Sequence, residues 1–311
     1  MKSKPELETR LAQIDDRLAE MRKSPDSSAP HLEELQRLQE EADAVARELF
    51  ADLEPWDHIG IARHDRRPYS LDYIELLFTD FVELHGDRRH GDDGAIVAGL
   101  ANFNGEPVAI IGQQKGRTAT ERKQRNFGMA RPEGYRKAMR IMQLAAKRRR
   151  PIITFVDTPG YLPGLDQEHY GIIRHGAKVI YAFCEATVPK ISILTRKAVG
   201  GAYIAMSSRQ MRCDVVFAWP TAYIAVMGAE GAVRILRKRD LAVSGDPRAL
   251  ETQFAQEYRD RFFNPYVAAN MGQIDEVIEP KETRPRLVRA LEVLRTKVKQ
   301  NPPKKHGLMP L

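Results

Sequence analysis

Two short apolar series occupy the first 50 residues of the chain. Apolar side chains recur at alternating spacings of four and three residues from Leu7 to Met21, and a second series runs from Leu32 to Leu49. This spacing places them on one face of a helix. Segment 24–30 contains two prolines and three serines, which interrupt a helix. Each series is too short for a long free coiled coil. The pattern therefore predicts an accessory arm over residues 1–50, a helical hairpin that packs on itself or on a partner.

From residue 70 onward, helical and strand patterns alternate. Ser70 is a suitable N-cap for a helix over Leu71–Leu84, which Gly86 would end. Apolar strands over 95–101 and 107–113 flank Asn104-Gly105, a strong hairpin signal. The remaining predictions are helices over 132–148, 172–185, 250–262 and 284–298 and from Gly200 and Glu230, strands over 152–156, 191–194, 215–218, 222–226 and 274–278, a polar surface segment over 238–248, and an irregular tail from 301. Strands alternating with helices predict one α/β domain over residues 51–311.

Composition narrows the class of protein. Hydrophobic residues make up 42% of the chain and charged residues 29%, as in ordinary globular proteins. No apolar run reaches the roughly 18 to 20 residues of a membrane span, and the first 20 residues lack the apolar core of a signal peptide. Cys184 and Cys213 stand alone, with neither a metal-binding pair nor a disulfide framework. These features predict a cytoplasmic protein that neither enters a membrane nor binds a structural metal.

The net charge of +7 comes with clustered basic residues, over Arg117–Arg125 and Lys147–Arg150. No nucleic-acid-binding motif accompanies them, which argues against a nucleic-acid partner. Phosphorylated cofactors or an acidic partner subunit explain the charge at least as well. For Lys147–Arg150, the simplest explanation is the basic last turn of a helix.

Glycines at the ends of strands are the main candidate for chemistry. The sequence contains no GxSxG nucleophile elbow, no HExxH and no P-loop, and its histidines lack metal-ligand spacing. Instead, Gly200-Gly201-Ala202 follows a strand and opens a helix, Gly228 precedes the next helix, and Asp157-Thr158-Pro159-Gly160 ends another strand. Backbone N–H groups at a helix start can hold an oxyanion. Glycines that only permit tight turns are the alternative. Three such turns together favour an oxyanion site.

Several long segments carry a family resemblance. In the first half these are Leu49–Leu53, Arg67–Tyr73, Gly112–Arg117, Arg125–Met129, Pro132–Ala138 and Pro151–Gly160. On them, residues 35–160 resemble the alpha subunit of the bacterial acetyl-CoA carboxylase carboxyltransferase.

The second half shows a different resemblance. Its segments are Pro159–Gly164, Gly171–Lys178, Arg196–Tyr203, Ala218–Ala222, Ala225–Ala232, Asn264–Ala269 and Asn301–Gly307. On them, residues 159–311 are similar to the C-terminal half of beta subunits of propionyl-CoA and related acyl-CoA carboxylases. The alpha-subunit family would have a glycine-rich run where this chain has Thr195–Ala202. Recombination, a divergent lineage and a constructed chimera all explain a junction near residue 160.

The resemblance implies a crotonase-type (ClpP/crotonase) ββα superhelix that transfers the carboxyl group of carboxybiotin, held on a carrier protein, to an acyl-CoA. Biotin takes the proton in these enzymes, so no acid or base residue is expected. An oxyanion hole for biotin maps onto the catalytic Gly201 and Ala202, and Ile204 onto an acyl-chain selector. The other biotin or substrate contacts implied are Gly160, Leu162, Gly200, Gly228, Lys115 and Arg117. Arg117–Arg125 would meet the phosphates of CoA or the partner.

The resembled enzymes also imply partners. Their second oxyanion hole, for the thioester, lies in a domain that this sequence lacks, and no four-cysteine zinc ribbon is present. We therefore expect a zinc-ribbon carboxyltransferase beta subunit, a biotin carboxyl carrier protein and biotin carboxylase as partners in a hetero-oligomer such as α2β2. The expected product is malonyl-CoA for fatty acid synthesis, in an ATP-dependent complex.

Three alternatives stay open at the sequence level. The first is a beta-type subunit that acts on propionyl-CoA or another acyl-CoA. The second is a self-contained hydratase, isomerase or hydrolase, although no acid or base is evident near Gly200. The third is a non-catalytic subunit that serves assembly alone.

Overall fold

The computed structural model describes residues 4–25, 28–51, 67–307 and 309. The first two ranges form the expected helical hairpin, with α1 over Lys4–Lys23 and α2 over Ala29–Phe50. Apolar side chains of both helices form one buried cluster, in which Leu7 and Leu49 are each 1% exposed. The helices thus pack on each other. The connection over 52–66 lies outside the described residues, and so do His58 and His64.

The hairpin also contacts the rest of the chain. Arg67 Nε lies 4.0 Å from Glu8 Oε1, and the guanidinium stacks 5.7 Å from the centre of the Phe50 ring. The division into an arm over 1–50 and a domain over 51–311 stays a prediction.

The predicted helix over Leu71–Leu84 is wrong in its second half. Helix α3 covers Ser70–Leu77, and the chain then enters strand β1 over Thr79–Glu83. Strand β1 pairs antiparallel with the next strand, with Val82 opposite Leu100 and a bulge beside it. Because pairing satisfies backbone groups along the edge of a sheet, this long-range contact overrides the helical spacing of the apolar residues.

An eight-stranded mixed sheet forms the centre of the domain. The further strands are β2 Ile96–Phe103, β3 Glu106–Gln113, β4 Ile152–Thr158, β5 Lys190–Val199, β6 Val215–Ala218, β7 Tyr223–Ala225 and β8 Glu276–Val277. Their order is β1-β2-β3-β4-β5-β6-β8, with β7 paired to β5. The first three strands are antiparallel, and β3 onward are parallel. The predicted hairpin joins β2 and β3, with Asn104 and Gly105 both at positive φ.

Helices cover both faces of this sheet. They are α4 Ala119–Gln124, α5 Pro132–Arg148, α6 Leu165–His169, α7 Ile172–Glu185, α8 Gly200–Ser207, α9 Ala229–Leu236, α10 Lys238–Val243, α11 Pro247–Phe262, α12 Pro265–Asn270 and α13 Thr283–Leu294. One core lies under α5, α7 and α8, and a second lies under α3 and α13. The strands between them are therefore apolar on both sides, as in parallel sheets.

The segment over 238–248 is exposed, as predicted for a polar surface segment, and it is mostly helical. Helix α10 fills its first half and α11 begins at Pro247. Leu241 packs on a small cluster around Phe263, and this contact stabilises the short helix. Within the described part of the chain, no helix is both long and apolar enough to cross a membrane.

Candidate active site

Three neighbouring strands carry the predicted glycines to one edge of the sheet. Strand β5 pairs in parallel with β4 and with β7, in a register that joins Thr158 to Ala198 and Val199 to Ala225. The carboxyl ends of parallel strands lie at the same edge. The turns that contain Gly160, Gly200 and Gly228 therefore meet there.

The start of α8 is an accessible helix end at this edge. Gly200 has φ +65°, a conformation that suits glycine because it has no Cβ. Gly201 is exposed, whereas Ala202 is buried. Val199, at the N-cap position, has an apolar side chain that cannot accept their N–H groups. These backbone donors are thus free to bind an anion, with the positive end of the helix dipole behind them.

Tyr161 forms a wall beside this turn. A Cβ added at Gly201 would lie 2.9 Å from Tyr161 Cε2, and one added at Gly176 would lie 2.8 Å from Cε1. The ring therefore fills the space between α7 and α8, where only glycine leaves room for it. Burial raises the pKa of the Tyr161 hydroxyl to about 12, so it stays protonated at neutral pH. Sequence reasoning missed this side chain, although it follows the predicted Gly160 directly.

A buried ion pair holds the strand ends in register. Asp157 Oδ1 accepts a hydrogen bond from the Lys197 N–H at 3.3 Å, and its Oδ2 lies 3.8 Å from Arg196 Nε. The Asp157 N–H donates to the side chain of Gln113 at the end of β3. The Arg196 guanidinium stacks 4.4 Å from the centre of the Tyr69 ring. Backbone and side-chain bonds together thus fix the ends of β3, β4 and β5, which support the α8 turn.

The structure brings some of the other predicted residues to this edge. A Cβ added at Gly200 would meet the Val226 carbonyl at 3.2 Å, so the segment leading to Gly228 borders the turn. Leu162 and Ile204 are partly buried against the main core. Ile204 therefore packs in the core, which matches the alternative interpretation of that side chain, and its role as an acyl selector stays a prediction.

The two predicted basic contacts lie farther along the edge. Lys115 follows β3, and its Cβ lies 3.7 Å from a Cβ added at Gly128, which in turn borders Asp157. Arg117 pairs with the start of α3: its Nη2 lies 2.5 Å from Asp72 Oδ1, and its guanidinium lies 5.6 Å from the centre of the Tyr69 ring. Arg117 thus stabilises α3.

Comparison with known proteins agrees with this geometry. A family described as acetyl co-enzyme A carboxylase carboxyltransferase-like matches residues 4–259. The chain belongs to that family. It is 41% identical over 275 residues to the acetyl-coenzyme A carboxylase carboxyl transferase subunit alpha of Thiobacillus denitrificans, covering 88% of this chain and 81% of that one. It is also 47% identical over 270 residues to the propionyl-CoA carboxylase carboxyltransferase subunit of Haloferax mediterranei, covering 83% of this chain.

Both resemblances seen in the sequence are confirmed, and each extends across residue 160. The family match spans that position, and the aligned lengths exceed either half of the chain. This carboxyltransferase-family chain spans half the length of the propionyl-CoA carboxylase subunit.

Solved structures confirm the crotonase-type fold. The transcarboxylase 12S core, solved with methylmalonyl-coenzyme A, superposes with a TM-score of 0.70 at 39% identity, covering 79% of this chain and 46% of that one. The beta subunit of geranyl-CoA carboxylase from P. aeruginosa gives a TM-score of 0.58 at 26% identity, covering 71% of this chain and 46% of that one.

A group of possible metal ligands lies away from the α8 turn. The side chains of Glu83, His85 and Asp92 approach one another within 4.8 Å. The ammonium of Lys137 lies between the two carboxylates, 2.8 Å from Glu83 Oε1 and 2.9 Å from Asp92 Oδ1. A cation of the chain itself thus occupies the centre of this group.

Proposed function

We propose that this chain transfers the carboxyl group of carboxybiotin to an acyl-CoA, and that acetyl-CoA is its preferred acceptor. The observation that carries the proposal is the exposed, uncapped start of α8, at an edge where three strand ends meet. Membership of the carboxyltransferase family supports it. The product with acetyl-CoA is malonyl-CoA, the building block of fatty acid synthesis.

In this proposal, the N–H groups of Gly201 and Ala202 donate to the ureido oxygen of the biotin substrate. Transfer breaks the bond between the ureido nitrogen and the carboxyl carbon and leaves negative charge on that oxygen. The two donors are fixed at the helix end before the reaction, so they stabilise this charge without rearranging. A carbon–carbon bond then forms at the α-carbon of the acyl group, and the ureido nitrogen accepts the α-proton.

The preference for acetyl-CoA rests on two observations. The chain covers more of the alpha subunit of T. denitrificans, at 81%, than of the haloarchaeal propionyl-CoA subunit, at 50%. The second helix of the hairpin also lies mostly within residues 35–160, which resemble the alpha subunit, and the family match begins at residue 4. In the proposal, Ile204 limits the space for the acyl chain. A beta-type subunit acting on propionyl-CoA is the second candidate, favoured by the 47% identity.

We further propose that a partner subunit completes the site. The thioester oxygen needs a second set of donors, which this proposal assigns to a zinc-ribbon beta subunit. The side chains of Val226 and Met227, which border the α8 turn, are 71% and 37% exposed, and an apolar partner surface would cover them. A biotin carboxyl carrier protein and biotin carboxylase then supply the carboxybiotin, in a hetero-oligomer such as α2β2.

The decisive experiment is the reverse reaction, decarboxylation of malonyl-CoA with free biotin as acceptor. It is run with this chain alone and with a zinc-ribbon beta subunit, and methylmalonyl-CoA serves as the second substrate. Turnover of malonyl-CoA only when the partner is present supports the full proposal. Faster turnover of methylmalonyl-CoA contradicts the acetyl-CoA preference. An intact complex without turnover contradicts the catalytic role and supports one in assembly.

A further inference from the structure

A cleft of about 530 Å³ lies at the edge of the sheet opposite the α8 turn. The amino ends of the parallel strands β3, β4 and β5 form its floor, and the same strands run from there to the edge with the glycine turns. Clefts of roughly 300 to 1,000 Å³ are the usual size for small-molecule sites. The transfer reaction proposed above makes no use of this cleft.

Three prolines form the floor of the cleft. Pro107, Pro151 and Pro189 stand at the beginning of three neighbouring strands. Proline has no N–H group to donate. The carbonyls of Pro151 and Pro189 already accept hydrogen bonds from the N–H groups of Ala109 and Ile152, at 2.8 and 2.9 Å. The floor therefore offers mainly ring carbons, which favours contact with an apolar ligand.

One wall of the cleft is held in place by Arg284 of α13. Its Nη2 donates a hydrogen bond to Asn104 Oδ1 at 2.6 Å, at the tip of the β2–β3 hairpin. Its guanidinium lies 5.3 Å from the centre of the Phe103 ring. Val288 and Leu291 of the same helix continue this wall with apolar side chains. The hairpin and α13 are thus fixed to each other, so the cleft is formed before any ligand binds.

Three arginines also line the cleft. Arg149 and Arg150 follow the end of α5, and Arg295 follows the end of α13. All three are exposed, and within the described ranges none of their guanidinium groups forms an ion pair or a hydrogen bond. The adjacent Lys147 and Arg148 lie in the last turn of α5, outside the cleft lining. The basic run is therefore a helix end in its first two residues, whereas its last two face the cleft.

The charges that line the cleft leave a small positive excess. Glu106 also lines it and forms no ion pair with a described residue, and Glu292 lies 3.9 Å from Arg289 Nη1. The ends of α5 and α13 each add roughly half a negative charge. The three guanidinium groups therefore exceed the opposing charges by about one. This balance favours a monoanion over a phosphate group, whose charge is about −1.5 to −2.

We propose that this cleft binds an alkyl carboxylate, that is, a single carboxylate on a straight apolar chain. Arginine forks bind carboxylates in a bidentate manner, and Arg149, Arg150 and Arg295 hold the carboxylate. The alkyl chain lies over the prolines and against Val288. The inference goes beyond the proposed function, because the cleft lies at the other edge of the sheet and needs neither biotin nor acyl-CoA.

Direct binding tests the site without any turnover. Decanoate is titrated by calorimetry into the full chain, into R149Q/R150Q and into the control K147Q/R148Q. Both variants remove two charges from one basic run, but only the first pair lines the cleft. Loss of hydrogen bonds to a charged group should weaken binding by roughly 10-fold to 100-fold in R149Q/R150Q, and the control should keep the wild-type affinity. Equal affinities in all three proteins would overturn the site, and so would an equal loss in both variants.

Arg295→Gln tests whether the carboxylate lies between the two helix ends. Arg295 is far from Arg150 in the sequence, and both line the cleft. The substitution should weaken decanoate by roughly 10-fold, because one charged hydrogen-bond donor is lost. An unchanged affinity would place the ligand outside the cleft and would contradict the proposal.

The alkyl chain is tested by changing the ligand. Each buried methylene should tighten binding by about threefold to fourfold, so octanoate, which has two fewer, should bind roughly 10-fold more weakly than decanoate. 1-Octanol, which has no charge, should bind at least about 10-fold more weakly than octanoate. Equal affinities for the two acids would show that the chain is not buried, and equal affinities for octanoate and 1-octanol would show that the arginines do not bind it. Either result would overturn the assignment.

Two other occupants of the cleft predict different results. If octyl phosphate bound more tightly than octanoate, the site would prefer a phosphate group and the carboxylate assignment would be wrong. If addition of a zinc-ribbon beta subunit abolished the binding of decanoate, the cleft would belong to an interface between subunits and the proposal would be overturned. We expect octanoate to bind more tightly than octyl phosphate, and decanoate to bind equally well with and without the beta subunit.

Discussion

Gly201→Val is the sharpest test of the oxyanion assignment. The substitution places a Cβ 2.9 Å from Tyr161 Cε2, closer than such atoms pack, and two methyl groups beyond it. Tyr161 cannot retreat towards α7, because its ring already contacts Gly176. The turn must therefore shift, and the N–H groups of residues 201 and 202 then no longer point towards the oxyanion.

The expected decrease in kcat follows from the loss of a hydrogen-bond donor to the oxyanion. Removal of one oxyanion donor costs roughly 100-fold to 1,000-fold in kcat. Stability should fall as well, by about 1 to 3 kcal/mol, because the valine crowds the Tyr161 ring. We expect a rate at least 100-fold below wild type in a chain that still unfolds cooperatively in urea, at a lower midpoint.

The control is Gly231→Val in α9, also an exposed glycine near a helix start. A Cβ added there meets only Met227 Sδ, at 3.8 Å. Initial rates of malonyl-CoA decarboxylation in the presence of the partner, together with urea unfolding, should place this control within about threefold of wild type. A Gly201→Val rate within threefold of wild type, with the protein folded, would refute the assignment. Partial recovery in Gly201→Ala/Tyr161→Ala relative to Gly201→Ala would locate the effect in the ring contact.

Three further predictions concern stability and are measured by urea unfolding. Asp87→Asn should cost about 1.5 to 3 kcal/mol, because the buried Arg136 guanidinium loses its charge-assisted hydrogen bond to Asp87 and keeps only its pair with Glu133; a cost below about 1 kcal/mol would contradict a structural role for this pair. Burial, with Arg136, Lys178 and Arg174, lowers the pKa of His175 to about 4, so the folded chain favours neutral histidine. The contribution of His175 to the free energy of unfolding should be complete above about pH 6.5 and should be lost as the pH falls towards 4. If His175→Gln showed the same dependence of unfolding free energy on pH as the wild type, the loss would not come from His175. Leu38→Ala, at a position 3% exposed in the hairpin cluster, should destabilise α1 and α2 by about 2 to 5 kcal/mol, whereas the exposed Leu32→Ala should have little effect.

Local patterns were sufficient for much of the fold. Asn104-Gly105 marked the β2–β3 hairpin, and Pro132 marked the start of α5, because these residues restrict the backbone where they stand. Strand β1 could not be found in this way, since its apolar residues also fit a helix. Its pairing with β2 depends on residues about 20 positions away. The same limit applies to α10, which Leu241 holds against a distant cluster.

The sequence predicted the backbone turns of the candidate site but not the side chains that surround them. A glycine after a strand indicates a turn with free N–H groups, so Gly200 and Gly201 could be named. Tyr161 could not, because its position depends on Gly176 and Gly201 from two different helices.

The contact of one aromatic ring with two glycines constrains how this protein can evolve. A side chain at Gly176 would overlap Tyr161 Cζ as well as its hydroxyl, so a change to phenylalanine alone makes no room for it. A lineage that enlarges either glycine must first replace the tyrosine with a small residue, and that step opens a cavity in the core. Variation at positions 161, 176 and 201 should therefore be correlated and ordered in time, with the ring lost first and a glycine replaced second.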